Sequence, residues 1–256
     1  MRFIALFDIH IGYRRYYSHV SGREYICPTH DARALAAVMS FAEDFRPQCV
    51  ILGGDQLTMN EVSPHEKRAG RFSSGTYLVQ GYEALKSLVI EPLEALEPKI
   101  KIWINGNHEA WLEQVLAREP GLEGLISPVE YLGLRARGWV VAGHTDVVEI
   151  GPYLAVAHGS VIRAKKYPAH RYSDIYRRNL RIGHYHRFEA ASDISPLDRR
   201  RYHTTVVVPG LCARQQGYTG GVPSNTVQGF LAGEMDERGL FNDFVLIINA
   251  HQIVYN

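Results

Sequence analysis

The chain has little cysteine, no long apolar run and almost no net charge. Its three cysteines, Cys27, Cys49 and Cys212, are odd in number, far apart and without CxxC spacing. That argues against a disulfide framework or a zinc–thiolate site; reduced, mostly buried thiols are expected. No stretch approaches the roughly 20 apolar residues of a membrane span. Met1 opens into a strand pattern rather than a signal peptide, so a cytoplasmic protein with no membrane partner is expected. Lys and Arg number 28 against 27 Asp and Glu, a net charge of +1, which removes any whole-molecule argument for binding a polyanion. Linkers, repeats and low-complexity segments are also absent. With 256 residues and 46% apolar content, a single domain, 1–256, is expected.

Five short apolar runs each break off at residues that bind metals. Met1–Phe7 leads into Asp8 and His10, Cys49–Leu52 into Gly53-Gly54-Asp55, and Ile100–Ile104 into Gly106-Asn107-His108. Tyr153–Ala157 leads into His158, and Leu180–Ile182 into Gly183-His184-Tyr185-His186. Buried strands of α/β proteins read as short continuous apolar runs, and ligands gather beyond their C-terminal ends. The pattern predicts Asp, Asn and His stacked along one edge of one sheet, as a metal site holding more than one ion. Carboxylates neutralise two close cations, and amide and imidazole groups complete their shells.

Helical periodicity covers Asp31–Phe45, with Thr29 or Asp31 as cap, and Gly81–Leu96, where Pro92 should kink or split the helix. The first half therefore reads strand, helix, strand, helix, strand, as in parallel βαβ units. After a short helix at Ala110–Leu116, the second half shows β-like runs at Trp139–Ala142, Val147–Ile150, Tyr153–Ala157 and Val206–Val208. Gly229–Met235 and Asp243–Asn249 follow as a predicted hairpin. Ile11–Pro28, Leu57–Tyr77 and Ala164–Asn179 read as irregular walls or lids of a pocket.

Charge is unevenly placed. Between Arg163 and Arg187 stand eight Lys or Arg against one acid, Asp174, with tyrosines interleaved. This stretch, bracketed by His158 and His184, predicts a basic wall beside the metal site. Arg163, Lys165, Lys166 and His170 are its candidate substrate contacts. Arg14 and Tyr16, in the Tyr/Arg cluster that follows His10, are two more, since aromatics beside cations suit nucleotides or single-stranded nucleic acid.

The ordered set Asp-x-His, Gly-Asp, Gly-Asn-His-Glu, His-Gly and Gly-His-x-His resembles the calcineurin-like metallophosphoesterase superfamily, from Asp8 to His186. The resemblance implies an α/β fold, a four-layer sandwich of two mixed β-sheets flanked by helices, with a di-metal site at strand C-terminal ends. It implies that Asp8, His10, Asp55 and His186 hold one metal, and that Asp55, Asn107, His158 and His184 hold the second, Asp55 bridging. His108 would be catalytic rather than a ligand, stabilising phosphate charge or protonating the leaving oxygen while a metal-activated water attacks phosphorus in line. Two divalent transition-metal ions are implied, Mn favoured, Fe or Zn also accommodated. Gly54-Asp55-Gln56-Leu57-Thr58 lacks the Asp-Arg-Gly that follows the bridging aspartate in phosphoprotein phosphatases, which disfavours that activity. Tyr185 takes a position commonly held by Thr. Gly143-His144-Thr145-Asp146 imitates the last motif, but Asp146 replaces its final histidine, so His144 is assigned to a surface hairpin.

The function expected is therefore a metal-dependent phosphoester hydrolase acting on a phosphorylated small molecule or nucleic acid, with a phosphodiester or nucleotide favoured. The alternative is a DNA or RNA nuclease similar to the double-strand-break repair exonucleases. A non-catalytic scaffold of the same fold is a third reading, opposed by the presence of every ligand position and of His108.

Overall fold

Apolar runs too short for helices and flanked by glycine become central strands, and their burial decides their order. The computed structural model describes residues 1–18, 20–64, 76–164, 166–194, 202–212 and 226–254. In chain order the first half is β1 (Arg2–Leu6), β2 (Tyr13–Ser18), β3 (Arg23–Pro28), α1 (Ala32–Phe45), β4 (Cys49–Leu52), α2 (Thr76–Leu85), β5 (Ile100–Ile104) and α3 (Asn107–Leu116). There follow β6 (Val140–Ala142), β7 (Val147–Gly151), β8 (Leu154–Ala157), α4 (Pro168–Tyr176), β9 (Leu180–Ile182), β10 (Glu189–Ile194), β11 (Tyr202–Val207), β12 (Gln228–Met235), β13 (Phe241–Asn249) and β14 (Gln252–Val254).

The result is a mixed α/β fold with sheets of seven and five strands flanked by helices. The larger sheet has the order β14-β13-β12-β1-β4-β5-β6 and the smaller β10-β11-β9-β8-β7, while β2 and β3 form a separate two-stranded pair. Strands β1, β4, β5 and β6 are mutually parallel, as the βαβ reading requires. The predicted hairpin is present as antiparallel β12 and β13. The expectation of one sheet edge is corrected: β8 and β9 are a parallel pair in the smaller sheet. Short runs carry no label of the sheet they join, and only long-range pairing decides it.

One apolar cluster contains Phe3, Phe7, Ile51 and Ile104 of the larger sheet together with Leu154 and Val156 of the smaller. On its other face the larger sheet packs against α1 and α2 through Leu35, Val38, Tyr82 and Leu85. The smaller sheet packs against α4 through Ala169 and Tyr172. Asp31 caps α1, its Oδ1 accepting from the N–H groups of Arg33 and Ala34, each at 3.1 Å. Beyond α2 a π-turn, Lys86–Ile90, precedes a short helix Glu91–Glu94 that holds Pro92 in its first turn. The expected break is thus absorbed by a wider turn, which accommodates the missing proline N–H.

Two further readings change. Ile11–Pro28 carries the hairpin β2–β3 and Ala164–Asn179 carries α4, so neither is wholly irregular. His144 lies in a turn between β6 and β7, which belong to different sheets, so the turn is a crossover and not a hairpin. Cys49 and Cys212 are buried, but Cys27 is exposed on β3. Of the Leu57–Tyr77 stretch, residues 65–75 lie outside the described residues. Among the described residues no helix is long and apolar enough to cross a membrane.

A buried ion pair ties the two sheets together. Arg181 on β9 donates through Nε and Nη2 to Asp243 on β13 at 2.5 and 2.9 Å, and its side chain is 3% exposed. Removing one partner strands the other charge in the interior, so Asp243→Ala should cost about 3–5 kcal/mol. The pair Arg181→Met with Asp243→Leu should cost much less. Urea midpoints of the three proteins check this; equal losses in the single and double variants would contradict it.

Candidate metal centre

The local backbone explains why the site sits at strand ends. Asp8, His10, Asp55, His184 and His186, five of the seven predicted ligands, have positive φ between 49° and 70°. Non-glycine residues adopt this region at a cost of about 1–3 kcal/mol each, and such residues cluster at functional sites. At these five positions the backbone leaves the β region two to four residues past a strand end. Gly106 permits a close approach: a Cβ there would lie 2.0 Å from Asp55 Oδ1.

The seven predicted ligands converge in a buried cluster. His10 Nε2 and His186 Nε2 face one another at 3.4 Å, and Asp8 Oδ1 is 3.4 Å from His186 Nε2. Asp55 Oδ2 is reached by His158 Nε2 at 3.4 Å, His108 Nε2 at 3.7 Å and His10 Nε2 at 3.9 Å. Asn107 Oδ1 lies 3.1 Å from His158 Nε2, and the His184 ring centroid is 5.3 Å from that of His158. Three groups could each hold a cation: Asp8 with His10 and His186, His10 with Asp55 and His108, and Asp55 with His158 and His184. Asp55 belongs to two of them. His108, expected to stay off the metal, is in the middle group, so proximity alone does not separate ligand from catalyst.

The donor set fits divalent transition metals, being carboxylate, amide oxygen and imidazole. Among the described residues Asp8 Oδ1 and His10 Nδ1 are buried with no hydrogen-bond partner, an arrangement that costs free energy unless a ligand satisfies it.

Surrounding groups aim the ligands. Asp8 Oδ2 accepts from the His184 N–H at 2.7 Å, and Asp55 Oδ1 from the His108 N–H at 2.9 Å. The His158 Nδ1–H donates to the Gly53 carbonyl at 3.2 Å and the His108 Nδ1–H to the Thr58 carbonyl at 2.7 Å, turning both Nε2 atoms inward. Trp111 packs against the His108 ring with centroids 4.0 Å apart. Glu109, to which the sequence reading assigns no role, is a clamp. Its Oε2 accepts from the Gly106 and Asp55 N–H groups at 2.7 and 3.0 Å, and its Oε1 from Leu57 at 3.0 Å. Its position three residues after Gly106 is a capping-box signal that could have revealed the role.

Burial opposes every charge here, and the neighbours decide the outcome. Burial would raise Asp8 and Asp55, yet His186 lowers Asp8, and His108 with His158 holds Asp55 well below the usual carboxylate range. Burial would lower His158, but Asp55 lifts it to about 9. For His184 burial prevails, with His158 adding to it, and the ring falls to about 4. Burial also lowers His108, against the pull of Asp55.

The expected substrate contacts are a separate set from the clustered donors. Arg163, Lys166 and His170 are exposed, outside the buried cluster. Arg14 and Tyr16 are on β2, opposite Cys27 and Tyr25. Lys165 lies outside the described residues. The basic stretch is also less free than its composition implies, because Arg178 pairs with Glu149, Arg181 with Asp243 and Arg187 with Glu189. Acids outside the stretch neutralise part of it.

No family model matches the chain, and no curated protein matches it. The crystal structure of a dimetal phosphatase from Danio rerio is similar to it over 96% of this chain and 98% of that one, at 11% identity and a TM-score of 0.39.

With His158 raised to about 9 and protonated at neutral pH, a cation must displace its proton. Manganese affinity should therefore rise with pH through the neutral range, with proton release on binding. Titration calorimetry in buffers of different ionisation enthalpy measures the protons released, and none released would contradict the arrangement. Asp55→Asn should weaken both sites together; unchanged occupancy in that variant would remove the bridge.

Proposed function

We propose that the protein is a metal-dependent phosphoester hydrolase of the calcineurin-like type, one domain over 1–256 built as a four-layer sandwich. The observation that carries this reading is the Asp55 carboxylate, shared by two candidate metal groups, with the His108 Nε2 3.7 Å away. Asp8, His10, Asp55 and His186 would hold one cation, and Asp55, Asn107, His158 and His184 the other. Manganese suits the oxygen donors, while iron or zinc would also accept the imidazoles. Bound cations supply Lewis acidity and lower the pKa of water at the site.

The chain's own part is orientation and proton handling. The Thr58 carbonyl accepts a hydrogen bond from the His108 Nδ1–H, so only Nε2 can exchange a proton with a substrate oxygen. His108→Ala should lower kcat by about 10²–10⁴-fold on substrates with poor leaving groups and leave metal content near wild type. The loss should shrink for acidic leaving groups, and the poor-to-good rate ratio should fall as pH rises, since burial lowers the His108 pKa. Loss of metal in this variant would instead make His108 a ligand.

A phosphodiester or nucleotide is the favoured substrate. Supporting this is a cavity of about 360 Å³ lined by Lys166, Tyr167, Arg187 and Glu189, beginning one residue beyond His186. Tyr167 is 67% exposed and lines the cavity together with Lys166. If this cavity takes the group beyond the phosphate, Lys166→Ala and Tyr167→Ala should raise KM for a nucleotide diester and leave a small aryl diester nearly unaffected. Equal effects on both would refute that use. Turnover of single- or double-stranded DNA in the same panel would favour the nuclease alternative.

A further inference from the structure

Cys212 lies outside every sequence motif and yet touches the cluster. Its Sγ is 3.1 Å from His186 Nδ1, and the residue is 2% exposed. His158 and His108 each turn Nδ1 to a backbone carbonyl and Nε2 to the centre. His186 turns Nδ1 to sulfur, and its Nε2 faces Asp8 Oδ1 and His10 Nε2, each at 3.4 Å. The sulfur is thus behind the ring, on the side away from the converging donors. Asp8 Oδ1, buried without a hydrogen-bond partner among the described residues, points to the same place from the other direction.

The sulfur is itself held in place. The Leu211 N–H donates to the carbonyls of Phe7 and Asp8 at 3.1 Å, and Gln228 Nε2 donates to the Cys212 carbonyl at 3.0 Å. The segment is therefore fastened to the end of β1, the strand that delivers Asp8. Histidines that bind metals generally give their other N–H to a fixed acceptor, which sets the tautomer and the ring angle.

We infer that Cys212 is a positioning residue: it accepts the His186 Nδ1–H and presents the Nε2 lone pair to the Asp8–His10 group, without contacting the ion. The inference rests on the di-metal reading and concerns the Asp8 side of it. Cys212→Ala should weaken one of two cobalt sites by about 10–100-fold, as loss of an acceptor behind a ligand does, while the other site keeps its affinity. Cys212→Ser, which restores an oxygen acceptor, should recover most of the loss. Cys212→Val fills the space without an acceptor and should behave like Ala; it replaces Ala if circular dichroism shows that Ala fails to fold.

Cobalt titrations followed by absorbance read the result. The wild type should show d–d bands without an intense sulfur-to-cobalt charge-transfer band. Such a band, lost in Cys212→Ala, would make the thiolate a ligand and overturn the inference. Equal affinities in wild type, Ala and Val overturn it while leaving the di-metal reading intact. A wild type that binds no cobalt overturns both.

Discussion

Asp55 carries a carboxylate into the interior, where it is 1% exposed. Taking an unpaired carboxylate out of water costs several kcal/mol even after relaxation, so the fold must answer that charge before it can do anything else. It answers with imidazoles on Oδ2, a peptide N–H on Oδ1, and the Glu109 clamp on the backbone of Asp55 itself. The clamp is a second buried carboxylate. Burial, then Asp55, push Glu109 up to about 7. Two such groups can be neighbours because one holds backbone and the other faces histidines. The same arrangement leaves Asp55 Oδ2 pointing at a cluster of nitrogens that only protons or cations can reconcile.

That demand explains the strained backbone. A strand continued past Leu6 or Leu52 would alternate its side chains across the sheet, sending successive donors to opposite faces. Left-handed turns at Asp8, His10 and Asp55 break the alternation and bring donors from adjacent strands to one point. The cost, about 1–3 kcal/mol per residue, is offset by the fully buried strands behind them, β1 and β4, whose apolar side chains contribute roughly 1.5–3 kcal/mol each. Strain at the rim and uniform burial in the strands are two sides of one device.

Sequence alone made the strand ends legible, because an apolar run that stops at Gly-Asp or Gly-Asn-His carries both its burial and its chemistry in consecutive residues. The parallel order of β1, β4 and β5 followed from the helices between them. Division of the site residues between two sheets was not legible, since Leu154–Ala157 is as apolar, and Leu180–Ile182 as buried, as the strands of the larger sheet. The hairpin β2–β3 escaped because β3 is exposed throughout and has no buried face to impose alternation. Helix α4 did leave a signal, Pro168 at its start and Ala169, Tyr172 and Tyr176 at helical spacing, which the surrounding basic residues obscured. The acceptors that aim His158 and His108 are peptide carbonyls, which every residue has, so no sequence pattern can mark them.

Because Asp8, Asp55 and Asn107 extend from one sheet and His158, His184 and His186 from the other, the width of the centre depends on how the sheets pack. A slip between them of even an ångström would separate donors that must meet within a coordination distance. The inter-sheet core resists such a slip only in part, since apolar contact is non-directional. Arg181 supplies direction: its two bonds to Asp243 fix β9 against β13, and β9 is the strand that delivers His184 and His186. A further bond from Arg181 to the Thr204 carbonyl at 2.9 Å extends the brace to β11. The ion pair therefore sets the register from which the site inherits its geometry, because β9 leads directly into the clustered His184 and His186.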